Sequence, residues 1–384
     1  MMNNCCPICQ MDNTKVFLTR KNVPVHQNLL LETQKEALQV TRGDLDFTVC
    51  YNCGFVFNQS FDNRKMEYNQ NYNNSQLYSP SFNQYVDELV KYLVEEQNIQ
   101  NSTILEVGCG KGDFITRLIS EGRGNKGLGF DPSYVGSDNL FGGNLEFIKD
   151  FFDSRYSDIQ ANVVICRHVI EHISNPLEML ENLKKSLGNS RDVRVYFETP
   201  CVEWILENNA FWDFFYEHCS LFTIRSLTRV FELAGYHIEG VKHIFNGQYL
   251  WLEASIKGEE HITFEPIKID TLEYYVDNEK NNMGKWLDIL YSLNNVALWG
   301  AGAKGVTFAN LLDPERRLIN CVVDLNPEKQ GKFIPGSGHP VIKYQELQLR
   351  GINTIIVMNP NYEQEIRLLV SDLNIKIVLL ESIP

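Results

Sequence analysis

Two glycine-rich turns, Glu106-Val107-Gly108-Cys109-Gly110-Lys111-Gly112 and Gly300-Ala301-Gly302-Ala303-Lys304-Gly305, each end an apolar run and open a helical one. Glycine permits a sharp turn and lets a ligand press against the backbone, so each turn marks the start of a parallel α/β unit with a binding edge. Around the first turn, TILEVG, GDFITRLISEG, KGLGF, NLEFIKD, NVVICRH, PLEMLENLKKSL and VRVYFETP alternate short strands with amphipathic helices. That rhythm belongs to a doubly wound parallel sheet. It pauses over a Glu- and Asn-rich connection and a helix at 261–294, then restarts with NVALWG, INCVVDLN and NTIIVMN. The expectation is α/β, with a central Rossmann-like sheet and a smaller Rossmann-like lobe behind it. A chain of 384 residues also exceeds the roughly 100 to 200 residues of one ordinary core.

Ahead of both units stand Cys6-Pro7-Ile8-Cys9 and Cys50-Tyr51-Asn52-Cys53. Each C-x-x-C knuckle can place two thiolates on one Zn2+, and two knuckles close a tetrahedral site with no position left for water or substrate. A structural zinc on Cys6, Cys9, Cys50 and Cys53 is expected; unmetallated or redox-active thiols are the alternative. Cys5 is a bystander that could replace Cys6. The division expected is a zinc-binding lobe at 1–64, a central domain at 65–260 and a C-terminal lobe at 261–384. Tyr85, Leu89, Tyr92 and Leu93 recur at helical spacing and give a helix that introduces the central domain.

The net charge of -14 repels phosphate backbones and argues against nucleic-acid binding in general. The start, MMNNCCPICQ, lacks the basic and apolar regions of a signal peptide, and no run of about 18 apolar residues is present. The expectation is a cytoplasmic protein with a small-molecule partner, no membrane association and no obligate protein partner. In a reducing compartment, paired cysteines are better read as metal ligands than as disulfides.

The spacing after Glu106 is G-x-G-x-G, unlike the G-x-G-x-x-G of dinucleotide enzymes. An acid, Asp131, ends the next strand, where it can accept hydrogen bonds from ribose hydroxyls. Asp150 and Phe151 follow, placed to recognise and flank an adenine ring. Each alone could be a turn or a solvated acid. In this order, over about 150 residues, they resemble the class I methyltransferases that use S-adenosylmethionine (SAM). The resemblance implies that Glu106, Gly108, Gly110 and Gly112 line the methionine end of SAM, that Asp131 meets the ribose, and that Asp150 or Phe151 meets the adenine. It also puts His168, after the strand Val163-Val164-Ile165-Cys166-Arg167, near the sulfonium, while His172 caps or packs.

Further segments are CPIC, CYNCGFVFN, YNNSQLYSP, FYEHCSLFT, NGQYLWLEA and WGAGAKG with VVDLNPEKQGKFIPGSGHPV. Together they resemble the three-domain methyltransferases that include the C-methyltransferases of nucleotide-linked deoxysugars. Phe214-Phe215-Tyr216-Glu217-His218-Cys219-Ser220 matches that group's Tyr-x-Glu-His-x-Ser segment. The resemblance implies that His218 removes a proton from the carbon to be methylated, with Glu217 orienting the imidazole or binding a sugar hydroxyl. Carbon beside a ketone accepts a methyl group only as an enolate, and a His with a carboxylate neighbour can take its proton near neutral pH. The alternative is that Glu217 and His218 point apart and cap a helix. Phe215 stands where those enzymes carry a Tyr hydroxyl, which leaves Tyr72 or Tyr216 to steady the enolate.

The second turn fits G-x-G-x-x-G and is followed by Asp324 at the end of the next strand. In the group it resembles, this lobe helps bind the nucleotide portion of the substrate. Gly300, Gly302, Lys304 and Gly305 are then candidates to hold a diphosphate; a redox dinucleotide site and purely structural glycines are the alternatives. The leading expectation is C-methylation of a nucleotide-linked keto sugar. Its rivals are O- or N-methylation of another sugar or secondary metabolite, and a non-catalytic zinc-stapled protein that binds SAM or a nucleotide.

Overall fold

The computed structural model describes residues 5–66, 72–156, 159–188, 192–256 and 269–380. Its central element is an eight-stranded sheet in the spatial order His237–Ile244, Tyr249–Ser255, Arg194–Pro200, Val163–Arg167, Thr103–Val107, Lys126–Phe130, Leu145–Ile148, Asn139–Leu140. The five strands from Arg194–Pro200 to Leu145–Ile148 are parallel, and antiparallel strands finish both edges. The direction of winding reverses at Thr103–Val107, so a crevice opens beyond the carboxyl end of that strand.

Helices cover both faces of the sheet. The Asp113–Glu121 helix buries Phe114, Ile115, Leu118 and Ile119, a spacing that places all four on one side. The Pro80–Lys91 helix starts cleanly because the Ser79 hydroxyl accepts from the Phe82 N–H and Pro80 occupies the first turn. Its buried face is Phe82, Val86, Leu89 and Val90, displaced from the stripe read through Tyr85 and Tyr92, which are only half-buried.

A second, wholly parallel sheet has the order Val341–Ile342, Ile319–Val323, Val296–Trp299, Thr354–Val357, Lys376–Leu379. Its winding reverses at Val296–Trp299, immediately before Gly300. The Ile269–Ser292 helix leads into it; the connection expected from residue 261 lies outside the described residues as far as 268.

The third sheet is antiparallel and joins Thr14–Pro24, Arg42–Cys50, Val56–Asn58 and Ser220–Leu221. Its fourth strand therefore comes from the segment that directly follows Glu217 and His218. One hydrophobic core runs from Leu45, Phe47 and Val49 through Phe211 and Phe214 to Leu298, Val322 and Ile356, so the small lobe and the C-terminal sheet share buried surface. Among the described residues, no helix is long and apolar enough to cross a membrane.

Candidate active site

The reversal points of both parallel sheets open into the same cavity, of about 840 Å³. At the first turn Gly108, Gly110 and Gly112 all have left-handed backbone, with φ of 74°, 57° and 81°. Their surroundings differ. A Cβ on Gly110 would meet nothing within 4 Å, whereas one on Gly108 would lie 2.1 Å from Val169 and one on Gly112 would lie 2.5 Å from the Phe147 ring. Gly108 and Gly110 line the cavity; Gly112 does not. The expected role of Gly112 at SAM is thus corrected: it packs beneath Phe147 and Tyr134 and starts the Asp113–Glu121 helix.

Glu106 is buried at the end of its strand and accepts from the Ile115 N–H at 3.2 Å. Burial raises its carboxyl to about 8, against the opposing pull of Arg167. The Asp131 carboxylate accepts from the Gly110 N–H at 2.8 Å and from the Ser133 N–H and hydroxyl at 2.7 Å each, which ties the first turn to the next strand. Asp150 pairs with Arg155 at 3.0 Å and accepts from the Tyr156 hydroxyl at 2.9 Å, and exposed Phe151 stands beside it. Glu106, Asp131, Ser133, Asp150 and Phe151 line the cavity; Asp150's partners Arg155 and Tyr156 and the helix residue Ile115 do not.

Beyond the Val163–Arg167 strand, His168 adopts φ 55°, a conformation that a non-glycine residue holds only against strain. The turn brings its Nε2 to 2.8 Å from Glu198 and its Nδ1 to 3.4 Å from Glu171. Burial opposes protonation of this imidazole, but Glu198 and Glu171 outweigh it and hold the pKa at about 9. Glu198 in turn stays ionised, down to about 2, because Arg167 at 2.7 Å and His168 overcome its desolvation. His168 lines the cavity as an imidazolium whose charge is already balanced.

The segment 213–221 is fixed at its end by the Ser220–Leu221 strand. Phe215, Glu217 and His218 face the cavity. Tyr216 faces the other way: its hydroxyl accepts from the Asp62 N–H at 2.8 Å, and its ring fills the space beside Gly43. Tyr216 is therefore corrected as a source of the enolate-steadying hydroxyl, which leaves Tyr72, whose hydroxyl meets Glu217 and Asn28 at the cavity wall. Glu217 accepts from the Gln27 N–H at 2.9 Å, and its other oxygen is buried without a hydrogen-bond partner. Burial raises the Glu217 carboxyl to about 7.

His218 lies against Phe215, ring centroids 4.1 Å apart, and edge-on to His172 at 4.9 Å. Burial pushes the pKa of His218 well below the ordinary histidine value and lowers that of His172 as well. Glu217 turns toward Gln27 and Tyr72, and the carboxylate grouped with the two imidazoles is that of Glu171. Sequence spacing gave no sign of this, because Glu171 approaches His218 across forty-seven positions of chain.

At the second turn, Gly300 has φ 117° and Gly305 packs so tightly that a Cβ would lie 2.0 Å from the Gly300 carbonyl oxygen. Gly302 is the open position: a Cβ would have only Asn28 Oδ1 near it, at 3.9 Å. Asp324 accepts from the Ala301 N–H at 2.8 Å. Lys304 borders the cavity but its ammonium pairs with Asp213 at 2.5 Å. A second cation, Lys329, escaped the sequence reading; it is buried on the cavity wall and donates to the Ala301 carbonyl at 2.9 Å and to Asn28 at 3.3 Å.

In the small lobe the sulfurs of Cys6, Cys9, Cys50 and Cys53 lie within 4.8 Å of one another, with Cys6 to Cys53 at 3.6 Å and Cys9 to Cys50 at 3.5 Å. Four thiolates about 2.3 Å from one Zn2+ lie roughly 3.8 Å apart, so the group fits that ion. Cys5 is not part of it.

Residues 79–241 match the family described as a methyltransferase domain, and residues 286–373 match the family described as a C-methyltransferase C-terminal domain. The chain is similar to a tRNA U34 carboxymethyltransferase of Nautilia profundicola, 30% identical over 25% of this chain and 34% of that protein. It is also similar to a ubiquinone biosynthesis O-methyltransferase of Rickettsia bellii, 28% identical over 26% of this chain and 45% of that one. The chain thus spans between a third and a half of the curated relatives it matches. Among solved structures, magnesium protoporphyrin IX methyltransferase from Synechocystis with bound SAH aligns with a TM-score of 0.37 at 18% identity, over 46% of this chain and 84% of that one. The chain carries a SAM-dependent methyltransferase domain joined to a C-methyltransferase C-terminal domain.

Proposed function

We propose that this chain, with its methyltransferase domain and C-methyltransferase C-terminal domain, methylates the carbon beside a ketone in a nucleotide-linked sugar. The observation that carries the reading is the single cavity that begins at Gly108 and Gly110, passes His168, His172 and His218, and reaches Gly302 and Lys329. A cofactor at one end, a base in the middle and an elongated acceptor reaching the far turn are what such a shape suits.

SAM would supply the electrophilic methyl group, which the acceptor carbon receives once it is an enolate, the methyl–sulfur bond breaking with its electron pair left on the departing S-adenosylhomocysteine. Glu106, Gly108 and Gly110 hold its methionine end, Asp131 its ribose, and Asp150 with Phe151 its adenine. His218 takes the proton from the acceptor carbon; burial keeps the imidazole neutral and its lone pair available. The C–H electron pair moves into the enolate, and the Tyr72 hydroxyl turns its one proton from Glu217 to the oxygen on which charge develops. The free oxygen of Glu217 accepts from a sugar hydroxyl. Gly302 lets a diphosphate approach the start of the Ala303–Leu312 helix, with Lys329 beside it. Cys6, Cys9, Cys50 and Cys53 hold a structural zinc.

Incubation with methyl-labelled SAM and a panel of nucleotide-linked keto sugars, followed by location of the label, tests the reading. Label on carbon of one sugar supports it, and label on oxygen or nitrogen overturns it.

A further inference from the structure

Glu171, His172 and His218 stand apart from the thiolate site and face the cavity together. One carboxylate oxygen and one ring nitrogen from each imidazole lie within 4.8 Å of one another. Neighbouring ligands of one cation bound at about 2.1 Å lie roughly 3 to 4 Å apart, so the set has to draw together slightly to close on an ion. Glu171 is fully buried, and its Oε1, which pairs with the His168 imidazolium at 3.4 Å, accepts no hydrogen bond. Its Oε2 accepts from the Thr199 hydroxyl at 3.1 Å, which fixes the carboxylate. His172 donates from its ring to the Glu217 carbonyl. A hydrogen bond of that kind settles the tautomer of a metal-binding imidazole and leaves the other nitrogen as a ligand.

We propose that Glu171, His172 and His218 form a second metal site, for a divalent transition-metal ion such as Zn2+ or Co2+. Two imidazoles and one carboxylate suit these ions, and three ligands leave positions open toward the cavity. The site has a consequence that rests on the reading of His218 as base. A nitrogen lone pair that binds a cation cannot also take a proton, so metal at this site stops proton removal. The thiolate site is closed by its own four ligands and offers this second cation no position.

Co2+ titration of the full chain carrying zinc at its thiolate site tests the proposal, with binding followed by visible absorption and calorimetry. The expected result is one further equivalent, with the weak bands of nitrogen and oxygen ligation, lost in both Glu171→Gln and His172→Asn. SAM binding by each variant verifies its fold. In parallel, exchange of the acceptor's acidic hydrogen with deuterated water, measured with a non-reactive SAM analogue, is expected to cease as the wild type takes up this equivalent. Exchange that remains in His172→Asn is expected to be insensitive to the metal. Absence of the second equivalent, or its survival in both variants, overturns the site and leaves the base assignment standing. Binding at these residues without loss of exchange overturns the inhibition, and His218 as the base with it.

Discussion

Phe215 lies against the imidazole of His218, ring centroids 4.1 Å apart with planes at 45°. The contact closes one side of the ring to water, and burial leaves the group uncharged. His218→Asn is expected to bind SAM and acceptor nearly as the wild type does. Turnover should fall by roughly 10² to 10⁴, the usual contribution of a positioned base. Exchange of the acceptor's hydrogen with deuterated water should fall with it. Equal exchange in the wild type and the variant would move the role to another group.

Gly110 and Gly112 separate binding from folding. Gly110→Val puts a branched side chain into the open space at the first turn and should abolish SAM binding while the melting temperature changes little beyond the strain at φ 57°. Gly112→Ala drives a methyl group into the Phe147 ring. It should lower stability by about 1 to 3 kcal/mol, as overpacking does. Calorimetric SAM titration and thermal melts of the two variants check the contrast, and matching losses of stability would contradict it.

Glu106 gives the site a pH dependence with a defined sign. Its folded value of about 8 lies above the ordinary carboxyl value, so the ligand-free protein gains stability from the protonated form and loses it as pH rises through 8. A cationic methionine end of SAM favours the carboxylate instead. SAM affinity should therefore increase from pH 6 to 9 and level off above the folded value. Glu106→Gln should remove both slopes, and an unchanged affinity profile in that variant would exclude Glu106 as the titrating group.

Metal analysis of the Cys50→Ala, Cys53→Ala double variant should show no zinc at the thiolate site. The loss should also reach catalysis, because the Arg42–Cys50 strand that ends in Cys50 pairs with Val56–Asn58, and that strand pairs with Ser220–Leu221. Lower turnover with unchanged SAM affinity is the expected result; full metal occupancy would contradict the ligand set.

Both α/β rhythms, the two glycine turns and the cysteine pairs were readable because each depends on neighbours a few positions away. The facing of single side chains was not. Alternation along 215–218 does not reveal that Tyr216 turns toward Gly43 and Asp62, since the Ser220–Leu221 pairing sets the register from the far lobe. Gly112 looks like Gly110 in sequence and differs through Phe147, which arrives from another strand, and Tyr134 beside it. Lys329 and Glu171 lie in no glycine turn or paired motif, and each gains its place through long-range packing. Lys304 did have a motif, but its pairing with Asp213 depends on a segment ninety-one positions away.

The strand Ser220–Leu221 makes the N-terminal lobe inseparable from the rest. A chain cut to begin at the methyltransferase domain would leave this strand without its partner, Val56–Asn58, and Tyr216 without the wall it packs on. The lobe is consequently unsuited to transplantation as a module. Shuffling among related enzymes must exchange residues near 60 and residues near 220 together, so acceptor preference and the cysteine lobe should be inherited as one unit.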